Sequence, residues 1–261
     1  MLLRIFNLLY LGIILTTTSI TVSLAQDLDS GPAPEPLKIQ RINSPVELDG
    51  IISEAAWNDI RSLPIVMRFP DFGSEPSEQT EILLGYDDDY LYLAGRLYDS
   101  EPSKMQATSF RRDGWEYNTD QLTLIIDAFN DNENAVVFST TPVGIRTDVN
   151  ILNDAEGAPL KNLNSSWNAF WDVATVQNDD GWFAEMRIPF SSLRYEVKDG
   201  QTVMGITAYR WIARKFELDI FPLIPRKDFF SRNARAILNS GLRVIIACST
   251  AGASDCMRGK R

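Results

Sequence analysis

An all-β fold, with two antiparallel sheets packed as a β-sandwich joined by short helical turns, is predicted for this chain by three observations. Short runs in which apolar and polar residues alternate recur along most of its length. Clusters of Asp, Asn, Gly and Pro separate those runs at hairpin spacing. No long amphipathic helical pattern and no internal repeat interrupts the series.

The elements follow in order. Residues 1–25 read as an export signal: Arg4 starts it, Ile5 to Leu15 is apolar but too short to span a bilayer, and Ser23-Leu24-Ala25 offers small residues before a cut at Gln26. Residues 26–36, with Pro32, Pro34 and Pro36, form a flexible linker. Asn43 to Trp57 opens the folded body, which is expected to span residues 37–228. There Val46 and Leu48 alternate as a half-buried strand, Asp49-Gly50 supplies a turn, and Ser53 with Glu54 opens a short helix that drives Trp57 inward.

Glu81 to Tyr86 and Tyr90 to Tyr98 make a hairpin around Asp87-Asp88-Asp89, with Leu91, Leu93 and Leu97 on one face. Gln121 to Phe129 sends Leu122, Leu124 and Ile126 inward and turns through Asn130 to Asn134 into Ala135 to Thr140. A strand carrying Ile145, Thr147 and Val149 follows. Phe170 to Gln177 pairs with Trp182 to Ile188, whose Trp182, Ala184, Met186 and Ile188 share a face, and Val203 to Ala213 ends the series. Beyond it, residues 229–261 form an atypical tail expected to be poorly ordered. Its Cys248 and Cys256 either close a small loop or stay as free thiols.

Composition narrows the function. With 35 acidic against 25 basic residues the net charge is −10, the wrong sign for a nucleic-acid partner. The absence of histidine removes His-dependent triads and the common zinc sites. After the signal no apolar run reaches the roughly 18 residues of a membrane helix. The mature chain is therefore expected not to span a membrane by a helix, and to reside in the periplasm, at the cell surface or outside the cell.

Sugar rings present apolar C–H faces ringed by hydroxyls, so their recognition asks for an exposed aromatic side chain edged by charged or amide groups. Trp57, Trp182 and Trp211 fall within predicted strands or core faces and are read as structural. Trp115 sits in a loop with Arg111, Arg112, Asp113, Glu116 and Tyr117, and Trp167 and Trp171 flank a loop with Asn168; these are the candidate ligand-binding residues. The competing reading is that each tryptophan is a lid closing an end of the sandwich. Calcium requires several oxygens at a turn, which Asp127, Asn130 and Asp131 supply, though turn chemistry explains the same residue types. Catalysis by a glycosidase would need two carboxylates roughly 5–10 Å apart. Only Asp113 with Glu116 or Asp120 stands beside an aromatic loop, and no feature selects a pair, so a non-enzymatic role is expected.

Five segments in the same order, LDGIISEAAW, YDDDYLYLAGRLYDSEPSK, RRDGWEYNTDQLTLIIDAFNDNENAVVF, WDVATVQNDDGWFAEMRIPFSSLRY and GITAYRWIARK, resemble the family 9 carbohydrate-binding domains. The closer likeness is to the version at the head of large bacterial outer-membrane β-barrel proteins. The resemblance implies a sandwich that holds polysaccharide or oligosaccharide in the service of carbohydrate catabolism, often with bound calcium. In that family a sugar lies between two tryptophans, one near the end of the domain, whereas this chain has no tryptophan after Trp211. With no room for barrel strands after Leu242, the chain is expected to be either a free-standing exported domain or an interaction head from a shortened barrel protein.

Overall fold

The computed structural model describes residues 36–108, 110–113, 117–152, 163–224 and 242–247, all within the unit Glu35–Arg261. The predicted signal, nearly all of the linker, both cysteines, Trp115 and Glu116 lie outside the described residues. Fourteen strands are described: β1 (Leu37–Lys38), β2 (Gln40–Arg41), β3 (Val66–Phe69), β4 (Thr80–Tyr86), β5 (Tyr90–Tyr98), β6 (Gln121–Asp127), β7 (Ala135–Thr140), β8 (Arg146–Ile151), β9 (Leu163–Asn164), β10 (Asp172–Asn178), β11 (Gly181–Pro189), β12 (Gln201–Ile212), β13 (Glu217–Phe221) and β14 (Leu242–Ala247). They form a nine-stranded sheet along β1-β14-β12-β6-β7-β8-β9, with β13 and then β3 branching from β12, and a five-stranded sheet ordered β10-β11-β5-β4-β2. Pairing is antiparallel except β1 with β14 and β2 with β4.

The alternation that predicts the strands also builds the core. Leu91, Leu93 and Leu97 of β5, Trp182, Ala184, Met186 and Ile188 of β11, and Leu122, Leu124 and Ile126 of β6 point between the sheets and are sealed from solvent. Each large aliphatic side chain so buried favours the fold by about 1.5–3 kcal/mol over an exposed one. The Asp87–Asp89 turn closes its hairpin through Asp87 Oδ1, which accepts from the amides of Asp89 and Tyr90 at 2.8 and 2.7 Å. No helix among the described residues is long and apolar enough to cross a membrane.

Two parts differ from the expectation. Val46 and Leu48 do not form a strand, because β2 already occupies the edge of β4 and the chain that follows folds across the outer face of the five-stranded sheet. There Ile42, Ile52, Trp57 and Ile60 pack on Leu83, Tyr92 and Ala94, with Val46 beside them. Trp57, delivered by a 3-10 turn at Ala55–Trp57, is buried as expected. Glu185 of β11 pins this cover: its carboxylate accepts from the amides of Asp49 and Gly50 at 3.2 and 3.0 Å and from Trp57 Nε1 at 3.0 Å. The second difference is β14, which lies within the tail expected to be poorly ordered. Its apolar burst alternates after all, so that Val244 and Ile246 enter the core while the backbone pairs with β12 and β1.

One end of the sandwich is joined by charge. Arg210, almost fully buried, donates from Nη1 to Gln79 O at 3.2 Å and Thr80 Oγ1 at 2.8 Å, and from Nη2 to Tyr98 O at 2.7 Å, linking β12 to the opposite sheet. Arg214 pairs with Asp99 at 2.7 Å and with Glu78 at 3.0 Å. Burial alone would raise the Glu78 carboxyl, but hydrogen bonds from Lys215 and Ser100 outweigh it and pull the group down to about 2.

Candidate functional site

The loop before β6 carries the expected site residues, and its start is tied to the edge of the nine-stranded sheet. Asp113 adopts a left-handed conformation (φ 59°), its amide donates to Arg146 O at 3.2 Å, and its Oδ1 accepts from the Asp148 amide at 3.4 Å. Arg112 Nη2 donates to Asp148 Oδ1 at 2.8 Å and to Asn168 Oδ1 at 2.5 Å. Asp148 is fully buried and also accepts from the Ala169 amide at 2.7 Å and from Trp171 Nε1 at 3.2 Å. A single sealed carboxylate thus holds the Arg112 loop and the segment before β10 together, a charge-assisted arrangement that fixes both. Arg111 is exposed beside it.

The tryptophans divide differently from the expectation. Trp171, expected at the ligand surface, is only 2% exposed and meets the Phe138 ring edge-to-face at 5.3 Å. It is a core residue because it shares the inward side of Val173, two residues on. The same parity throws Phe170 outward to 88% exposure. Sorting by tryptophan does not select Phe170, whereas its alternation with Trp171 carries the signal. Trp167 is half-buried, its ring 6.1 Å from Phe138, and presents part of its surface beside exposed Asn168.

Tyr117 is held by Trp211. It is 74% exposed, and its carbonyl accepts from Trp211 Nε1 at 2.8 Å. Trp211 itself, read as structural from the sequence, is half-exposed. Met204, Ile206 and Ala208 point inward, so parity sends Arg210 inward and Trp211 out, the reverse of what polarity suggests.

The acidic groups serve local structure. Asp120 is buried, accepts from the amides of Ala213 at 2.8 Å and Gln106 at 3.4 Å, and is raised by burial, so its oxygens face backbone donors. In the turn expected to hold calcium, Asp127 accepts from the amides of Asp131 and Asn132 at 3.2 and 2.8 Å, and Asp131 Oδ1 from those of Glu133 and Asn134 at 2.7 and 2.8 Å. Asn130 Oδ1 accepts from Arg243 Nε at 2.8 Å. Turn and strand contacts therefore account for all three residues. Asp49, Glu54 and Glu185 bring one oxygen each within 4.8 Å of one another. Glu185 is engaged as described, and Glu54 accepts from the amides of Glu47 and Ser53, both at 3.1 Å.

With this geometry in hand, the kinship is plain. Residues 48–210 match the family described as Carbohydrate family 9 binding domain-like, and the chain belongs to that family. Its fold is that of a family 9 carbohydrate-binding module from Caldicellulosiruptor kristjanssonii solved with cellotriose: TM-score 0.54 and 15% identity, covering 83% of this chain and 96% of that one. A second structure of such a module from the same organism, in complex with glucose, aligns with a TM-score of 0.52 and 15% identity over 82% of this chain and 95% of that one. No curated protein matches the sequence.

Proposed function

We propose that the protein is an exported, non-catalytic domain that binds oligosaccharide or polysaccharide, with the loop from Arg111 to Tyr117 at its ligand surface. The observation that carries this reading is the membership of residues 48–210 in a binding-domain family. It is supported by two separate observations: Tyr117 is an exposed aromatic, and Arg112 is anchored to a buried carboxylate. Side chains and backbone held in this way lose little conformational freedom when a sugar binds, which favours affinity. Arg111, Arg112 and Asp113 supply donors and acceptors for ring hydroxyls, Trp115 and Glu116 complete the loop, and Trp167 with Asn168 borders it across the Arg112 contact. The similar modules were solved with cellotriose and glucose, so gluco-oligosaccharides are the first ligands to test.

Titration calorimetry of the wild type against cello-oligosaccharides, soluble glucans and xylo-oligosaccharides, beside Trp115→Ala, decides the matter. Saturable heat with the wild type and its loss in the variant are expected. No heat with either protein removes the proposal. Export is checked by sequencing the amino terminus of the mature protein, expected to begin at Gln26; a chain still carrying residues 1–25 would contradict it.

A further inference from the structure

Beyond Tyr117 the aromatic surface continues. Trp211 meets Tyr117 at 6.4 Å between ring centroids with planes at 77°, Phe216 meets Trp211 at 5.0 Å and 77°, and Phe69 meets Phe216 at 5.1 Å and 80°. Four places in the chain meet here: the loop before β6, the end of β12, the turn that follows it, and the end of β3. Phe216 is 55% exposed and sits in the left-handed region (φ 51°, ψ 45°), a conformation that L residues with bulky side chains rarely adopt. The turn therefore tolerates strain at a residue whose ring is left half in water, a combination that concentrates at ligand-contacting positions.

The charged groups of the turn between β12 and β13 are already engaged. Arg214 is held by Asp99 and Glu78, Lys215 Nζ by Ser77 Oγ at 2.7 Å and by Glu78 at 2.5 Å, and Glu217 by the Ser77 amide at 2.8 Å and hydroxyl at 2.6 Å. A uronate or sulfate group would meet cations already matched by carboxylates, whereas the C–H faces of uncharged pyranose rings match the aromatic surface.

We propose that Trp211, Phe216 and Phe69 form an extension of the ligand surface that takes further units of an unbranched, neutral polysaccharide beyond the sugar held at the Arg111–Tyr117 loop. The inference rests on the carbohydrate reading above. Its occupant is set by continuity with that loop, through the bond from Trp211 Nε1 to Tyr117 O, and by the pairing of the cations Arg214 and Lys215 with carboxylates, which leaves an anionic sugar no free partner among the groups named.

The test is the length dependence of binding, measured by titration calorimetry with the gluco-series from the disaccharide to the hexasaccharide. For the wild type, affinity rises roughly tenfold from trisaccharide to hexasaccharide, the gain expected of one or two further stacking contacts. Phe216→Asn is the informative variant, because Asn accepts the left-handed conformation and keeps the turn; its melting temperature confirms folding. The rise with length is expected to disappear in this variant. It is expected to persist in Phe129→Ser, which removes an exposed ring beyond the opposite end of β6. A wild type that binds the trisaccharide with no gain in longer ligands, or a Phe216→Asn protein that keeps the gain, overturns the extension and leaves the carbohydrate reading standing. A wild type that binds no member of the series overturns both. A sedimentation experiment in which the wild type dimerises and Phe216→Asn does not assigns the surface to a second copy of the chain and also overturns the extension.

Discussion

Tyr117 is exposed and Trp171 is buried, and the two residues separate binding from stability. Trp171→Ala empties space against Phe138 and strips a donor from Asp148, so it is expected to cost about 3–5 kcal/mol of unfolding free energy. Tyr117→Ala removes a ring that is mostly in water and is expected to change stability by no more than about 0.5 kcal/mol while weakening sugar binding. Chemical denaturation of the two variants checks the contrast; equal destabilisation would show that Tyr117 is a structural lid. At this scale the candidate site was only partly legible in the sequence. Residue type pointed to Arg112, Asp113 and Tyr117, all of which occupy the loop as read. Residue type misplaced Trp171 and gave no sign that Phe170 is exposed or Trp211 half-exposed, because strand parity decides exposure and Arg210 takes the inward position beside Trp211. Parity is written in the sequence, but which of two faces a strand buries is set by the partner strands. Asp148, which organises the loop, could not be found at all, because its donors come from segments 20 residues or more away in the chain.

The elements that were legible are those with local causes. The hairpins β4-β5, β6-β7 and β10-β11 each combine alternation with an Asp- or Asn-rich turn, and the structure places them within a residue or two of the expected bounds. The short strands β1, β2, β3 and β9 carry too few residues to show a period, and β14 was obscured by the unpatterned composition around it. The cover formed by residues 42–60 depends on a long-range contact, the grip of Glu185 on Asp49, Gly50 and Trp57. Burial raises the Glu185 carboxyl to about 7, with the nearby Glu54 charge acting in the same direction and the hydrogen bonds from Gly50, Trp57 and Asp49 opposing it. In the unfolded chain the group titrates near 4.5. Its contribution to stability is therefore complete below that value and is lost as pH rises from about 4.5 to about 7. Asp219, raised by burial and by Glu217, adds a loss of the same sign. Thermal unfolding followed between pH 5 and pH 8 is expected to show a falling melting temperature, less steep in Glu185→Gln. A melting temperature that rises across that range in the wild type would contradict the assignment.

At the scale of the whole molecule, two sheets bury a continuous aliphatic core, ion pairs close one end, and Arg111, Tyr117, Phe170 and Phe216 are presented at the surface. Among the groups described, Asp148, Asp120, Asp127 and Glu185 are engaged by amides, an indole or a guanidinium, while Tyr117, Phe170 and Phe216 are exposed aromatics. All-β class, hairpin order and family were readable from the chain because each rests on many residues at once. The proposed ligand surface rests on a few side chains brought together by distant strands, and the sequence pattern of any one strand does not specify that meeting.

The most direct measurement is titration of the purified wild-type protein, beside Trp115→Ala and Tyr117→Ala, with cello-oligosaccharides at neutral pH. The account predicts saturable binding by the wild type, weakened by roughly tenfold or more in each variant without loss of folding. A wild type that binds none of these sugars, or variants that bind as well as the wild type, would contradict it.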